Sequence, residues 1–437
     1  MSAPAVAVRH APRFAQQRFA QQRFAPRSRF APQPTAQASD RSARRLVRAT
    51  WFLLVLNVMT FYPKTWSGEP LIIPIPSSLG KLITQGALPV ALLLALTVNR
   101  RKLIRPSMFL GLYSLLIVEV AFAALQARHF GTVYRTFRLA GFVSTLWLLT
   151  PWWGRKDLFL VKCHLQAMAI VLAQVILGII VSPSRALGGG RLGGAFWPTP
   201  PTQVAEFAAV TMGLVIVLWL CRQVSGRVTL LACAIAGFVL IESHTRTALV
   251  AMIAGLLIAG LSVISVNRRV RKVLAWVTGV VTVAILTLSS FLTTWLARGE
   301  GTQQLVNLTG RTNVWAAVEN TPRDKFQVIF GFGLSNKSYN GLPVDSNWLA
   351  CYLDEGLAGV ILSAAVLVFV LISAFFMPQG KSRALALFLS TYVLVASFTE
   401  TGFSDASTYL LELALAASLI MPAVLGHEEN RPEGSLA

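Results

Sequence analysis

Seven arginines, Arg128, Arg135, Arg138, Arg185, Arg191, Arg246 and Arg311, fall in polar turns between long apolar runs. A guanidinium presents a planar fork of donors that matches phosphate oxygens two at a time. Gathered at one face, such residues point to a polyanionic ligand; snorkelling to lipid headgroups is the plainer alternative for any one of them. Acidic groups and a histidine accompany the arginines. Glu206 lies just past the segment SPSRALGGGRLGGAFWPTPPTQ (Ser182–Gln203), where it serves as a base or as a charge at a helix N-terminus. The glycines of that segment let backbone N–H groups approach an anion. No strand is expected before it and it lacks Walker spacing, which argues against a nucleotide site. The reversal ESHTRTA (Glu242–Ala248) holds Glu242, His244 and Arg246, more polar chemistry than a wet turn requires. HFGTVYRTFR (His129–Arg138) repeats the basic and aromatic theme. Asp345 opens DSNWLACYLDEGLAG at a membrane boundary, as a carboxylate for a hydroxyl or as a cap for the following helix.

The elements that must position these groups are greasy helices. The chain has 437 residues, 54% hydrophobic and 13% charged, where soluble domains carry about 25% charged residues. An all-α, polytopic integral membrane protein follows. A helix needs about 20 apolar residues to cross the hydrocarbon core. Runs that suit centre on 46–62, 80–98, 108–125, 139–153, 158–181, 203–220, 228–241, 247–266, 273–296, 346–376, 384–397 and 406–425, about twelve spans. The basic clusters Asn99–Arg105, Gly154–Asp157, Arg222–Arg227, Asn267–Lys272 and Gln379–Arg383 then share the cytoplasmic side with both termini. Residues 298–345 become a large extracytoplasmic loop. This gives a basic tail (1–45), a transmembrane domain (46–425) and a short cytoplasmic C-terminal tail (426–437).

The net charge of +21 is concentrated early: the first 50 residues hold ten arginines against the single Asp40. RFAQQ recurs at Arg13 and Arg18, and RFAP at Arg23 and Arg29. Such a segment buries too little to offset its ordering entropy, and reads as a disordered tail drawn to anionic lipids rather than to nucleic acid. No apolar core precedes Trp51, so a signal peptide is not expected. Cys163, Cys221, Cys233 and Cys351 lack CxxC spacing and read as core residues. Asn307 and Asn336 lie in N-x-S/T patterns. Glu119 and Glu412 are costly inside a bilayer and mark either function or a bond between helices.

Three of these segments, in this order, resemble the O-antigen ligase and O-antigen polymerase superfamily of bacterial membrane glycosyltransferases. Ser243-His244-Thr245-Arg246-Thr247-Ala248 is similar to its S-x-S/T-R-x-A element, and Arg311, Trp315, Gly331 and Gly333 to its R…W…G-x-G loop. Trp348, Leu349, Asp354, Gly356 and Gly359 resemble its closing pattern. Where ligases carry His-Asn, this chain has Asp345-Ser346, which tilts the resemblance towards a polymerase. It implies transfer of a glycan from a polyprenyl-diphosphate carrier to an acceptor hydroxyl on a glycan or lipid, outside the bacterial inner membrane, alongside other polysaccharide-assembly proteins. Arg246 and Arg311 would hold the diphosphate, with Arg185 and Arg191 in support. Asp345 would position or deprotonate the acceptor, with His244 and Glu206 behind it. Guanidinium groups would neutralise the diphosphate, so no metal or cofactor is expected. A secondary transporter or lipid-linked oligosaccharide flippase is the alternative, since twelve helices suit it; the halves show no clear internal repeat.

Overall fold

The computed structural model describes residues 34–62, 64–265, 267–276, 311–335, 337–339 and 342–422, with the side chains of 34–39, 311 and 312 outside it. Two compact units divide the chain, Met1–Arg45 and Leu46–Ala437. Residues 1–33 and 426–437, most of the two expected tails, lie outside the described residues. Residues 34–45, expected to be disordered, are helical: the first helix, α1, spans Pro34–Val58. Alanine, glutamine and arginine favour helix, and proline suits a first helical position. Within this unit Arg44 Nε meets Asp40 Oδ2 at 2.8 Å, one turn apart on an exposed surface.

Among its described residues the second unit is mostly helical. After α1 come α2 (Ser77–Val98), α3 (Met108–Ala127), α4 (Phe130–Leu149), α5 (Phe159–Val181), the short α6 (Pro183–Ala186), α7 (Pro201–Leu220), α8 (Gly226–Glu242) and α9 (Arg246–Val263). A helical stretch at 268–276, α10, precedes the residues outside the description. Then follow α11 (Arg311–Glu319), α12 (Lys325–Phe330), α13 (Asn347–Phe376), α14 (Lys381–Ala396) and α15 (Thr408–Ile420). Between α12 and α13 a two-residue hairpin pairs Ser338 with Pro343 and Tyr339 with Leu342. Serine hydroxyls cap three starts: Ser107 on α3, Ser225 on α8 and Ser407 on α15.

Six described helices, α2, α3, α5, α7, α9 and α13, are long and apolar enough to cross a membrane. Most of the ninth expected span, 273–296, lies outside the described residues. The other five expected spans are helical but shorter or more charged. Apolar side chains such as Leu82, Leu93, Leu125 and Ile180 face outward, as they do on helices solvated by lipid tails.

The centre is α14, packed against α7, α9, α13 and α15. Every residue from Ala384 to Val393 is buried, the pattern of a helix surrounded on all sides. At 16 and 13 residues, α14 and α15 rise only about 24 Å and 20 Å, short of a core about 30 Å thick. The 397–407 loop between them is therefore drawn into the bundle, and Phe403, Ser404, Asp405 and Ala406 are buried. Irregular backbone at that depth must find protein partners. Tyr113 on α3 donates its hydroxyl to Phe403 O, and Asn347 Oδ1 accepts from Gly402 N and Phe403 N at 2.9 and 3.1 Å.

Candidate functional site

The α8–α9 turn is fastened before it can present anything. Arg191 Nε donates to Ser243 O and its Nη2 to Thr245 Oγ1, each at 3.0 Å, while the guanidinium lies 5.6 Å over the Trp66 ring. Leu192 N donates to Glu242 O at 2.9 Å. His244 takes a left-handed backbone (φ 49°), and Thr245 Oγ1 reaches Pro201 O, the first residue of α7. Arg246 then opens α9, half-buried, with Nε and Nη2 shielded from solvent. Arg191 is thus a pin for the turn that carries Arg246. Arg185 lies apart, its Nε 3.7 Å from Glu69 Oε2 near the surface.

Other arginines expected to face a polyanion also have protein acceptors. Arg138 donates to Asn57 O at 2.9 Å and to Asn57 Oδ1 at 3.3 Å, tying α4 to the end of α1. Arg135 approaches Asp405 Oδ2 at 3.8 Å. Arg128 ends α3 in a left-handed conformation. Arg311 opens α11, and its side chain lies outside the described residues.

The second part of the site is a break in α13. Gly356 adopts φ 63° and ψ −160°, which interrupts the helix after Asp354 and Glu355. The freed carbonyls are met by the Phe330–Gly333 segment: Phe332 N donates to Leu353 O at 3.0 Å and Gly333 N to Asp354 O at 2.7 Å. The two backbones cross so closely that only glycine fits. A Cβ on Gly331 would lie 2.3 Å from the Asp354 carbonyl carbon, and one on Gly356 would lie 2.4 Å from the Ile329 carbonyl.

Lys337 closes the arrangement from above. Its Nζ lies 2.6 Å from Asp354 Oδ2 and 4.0 Å from Glu355 Oε1, with Ser335 N also donating to Asp354 Oδ2 at 3.0 Å. Burial pulls the Lys337 ammonium towards losing its proton; Asp354, Glu355 and Asp405 outweigh that and hold its pKa above the ordinary lysine value. Cys351 Sγ donates to Glu355 Oε2 at 2.9 Å.

The third part is the 397–407 loop, on which the other elements converge. Thr247, next to Arg246, shares a hydrogen bond with Thr399 (2.7 Å between hydroxyls). Asn347, two residues past Asp345, donates its N–H to Ser397 O at 2.9 Å, and Trp348 Nε1 donates to Ser397 Oγ at 3.1 Å. Ser346 occupies the N-cap position of α13 without a side-chain cap bond, and Asp345 precedes it, half-buried. Glu206 on α7 is buried and lies within hydrogen-bonding range of Thr408 and Glu412 at the start of α15.

The residues beside Arg246 and Asp345, Thr247 and Asn347, are thus bonded to one loop and Glu206 meets its flanking helix, Arg191 and His244 hold or form the adjoining turn, and Arg185 pairs with Glu69 instead. Sequence reasoning passed over the 397–407 loop, Lys337 and the Arg135–Asp405 approach. The available signal was SFTETGFSDAS, a polar run between two apolar stretches too short to span alone. No group of three or more histidine, cysteine or acidic side chains among the described residues is arranged to hold a metal ion. No family model matches the chain, and no curated protein is significantly similar to it.

Proposed function

We propose that this chain transfers a glycan from a polyprenyl-diphosphate carrier to an acceptor hydroxyl at the outer face of the bacterial inner membrane. One observation carries the reading: the helix starts that bear Arg246 and Asp345 are both hydrogen-bonded to the 397–407 loop. A cation suited to phosphate and a carboxylate suited to a hydroxyl therefore belong to one polar end of an apolar bundle.

In this reaction the acceptor oxygen forms a bond to the anomeric carbon of the donor sugar. The bond from that carbon to the diphosphate oxygen breaks, and the electron pair leaves with the diphosphate. Arg246 and Arg311 stabilise the departing charge, a contribution worth about 10²–10³ in rate for a single well-aimed donor. Arg191 acts through the turn that it pins, and Arg185 adds positive charge further out. Asp345 accepts the hydroxyl proton or orients it, with His244 and Glu206 as further bases. The Asp345-Ser346 pair favours a growing glycan chain as acceptor over a lipid.

Deleting the gene and analysing lipid-linked glycans tests this in cells. Accumulated single repeat units support a polymerase and accumulated long chains a ligase; unchanged glycans contradict both. A transporter or flippase is the second reading, favoured by the break in α13 beside Lys337, Asp354 and Glu355, since broken helices carry substrate sites in transporters. Movement of the intact lipid-linked glycan across vesicle membranes, without new glycosidic bonds, would favour it.

A further inference from the structure

Glu206 and Glu412 come from different helices, α7 and α15, and are 4% and 1% exposed. Their carboxyls lie within hydrogen-bonding range of each other, and Glu206 is also in range of the Thr408 hydroxyl. One oxygen of each, Oε1 of Glu206 and Oε2 of Glu412, is buried without a hydrogen-bond partner. The other groups acting on the pair are Glu400, in the 397–407 loop, and the phenols of Tyr392 and Tyr409. These are a further carboxyl and two hydroxyls, none of which supplies positive charge. Arg246 heads α9, which packs beside α7, and the residue before it, Thr245, reaches Pro201 O, five residues before Glu206 in the sequence.

Two ionised carboxylates cannot share a buried contact, because desolvation and mutual repulsion both oppose the second charge. A hydrogen bond between two carboxyl groups also needs one proton, since ionised carboxylates only accept. We propose that Glu206 and Glu412 share one proton and form an exchangeable proton-binding site inside the helical bundle. Thr408 stabilises the remaining charge by donating to Glu206. The ionised partner retains capacity for a second proton, such as one released by an acceptor hydroxyl near Asp345. That use rests on the transfer reading; the site itself does not, and its test involves no glycan.

The test is infrared spectroscopy of the full chain in lipid nanodiscs at neutral pH, following the carbonyl band of protonated carboxylic acids. The isosteric E206Q/E412Q chain should lose the intensity of one protonated carboxyl relative to the unaltered chain. Loss of none, or of two, overturns the proposal. A band in the unaltered chain that vanishes on adding sodium chloride overturns it in favour of a metal cation. Carbodiimide labelling of the unaltered chain, mapped by mass spectrometry, is independent of how the variant folds. It should place an adduct on Glu206 or Glu412 whose yield falls as pH rises. Adducts confined to other carboxyls, or yields indifferent to pH, contradict the proposal.

Discussion

Lys337 shows how a single side chain can hold a polar break closed inside an apolar bundle. It is 10% exposed and its partner Asp354 is 1% exposed, so neither charge has water to fall back on. Removing one member of a buried pair costs roughly 3–5 kcal/mol, because the other is left uncompensated. Lys337→Met should therefore lower thermal stability in detergent strongly, and the K337M/D354N pair should recover much of the loss; additive losses would contradict the ion pair. The pH dependence follows from the raised pKa. A lysine whose folded pKa lies above its unfolded value of about 10.4 contributes fully below that value and loses its contribution only as pH rises through the folded pKa. Melting temperature should thus show no Lys337-dependent change up to about pH 10, with a fall above it that K337M lacks. Asn347 is a second test at this scale. Its Oδ1 accepts two backbone N–H groups of the 397–407 loop, so Asn347→Ala should cost roughly 2–4 kcal/mol in melting experiments, whereas Asn347→Asp keeps the acceptor and costs less.

Between elements, the decisive contact is the crossing of the Phe330–Gly333 segment with the break in α13. Gly356→Ala would force a left-handed, non-helical backbone on alanine and drive its Cβ into the Ile329 carbonyl. The expected result is loss of monodisperse protein on size-exclusion chromatography. Gly86→Ala in α2 is the control, because nothing lies within 4 Å of the added carbon, and it should behave as the unaltered chain. Equal behaviour of the two variants would show that the crossing does not matter. This contact also marks what can be read from a sequence. The helices around it are legible from apolar run length, and Gly331, Gly333, Asp354 and Gly356 stand out as exceptions within or beside those runs. Their meeting is not legible, because backbone contacts between segments twenty residues apart leave no periodic trace. The 397–407 loop escaped for a related reason: α14 and α15 fall below the usual span length, so the polar run between them reads as an ordinary outer turn. The fold class needed only composition, whereas the depth of that loop needed the packing.

Across the whole molecule, several of the arginines singled out by their position between apolar runs serve the architecture. Arg135, Arg138, Arg185 and Arg191 meet acceptors of the protein itself, so the excess of arginine expected on the outer face is partly architectural. Arg246 and Asp345 sit at helix starts bound to a common loop, and the proposed transfer reaction rests on them. The resemblance in sequence supplied the reaction class; the convergence on residues 397–407 supplies the reason to test these residues together. Purified full-length chain in proteoliposomes, given polyprenyl-diphosphate-linked oligosaccharide, provides the most direct measurement. Release of polyprenyl diphosphate should accompany lengthened glycan, and Arg246→Ala, checked for unchanged melting, should slow both by about 10²-fold or more. Full turnover by the Arg246→Ala chain, or no turnover by the unaltered one, would contradict the account.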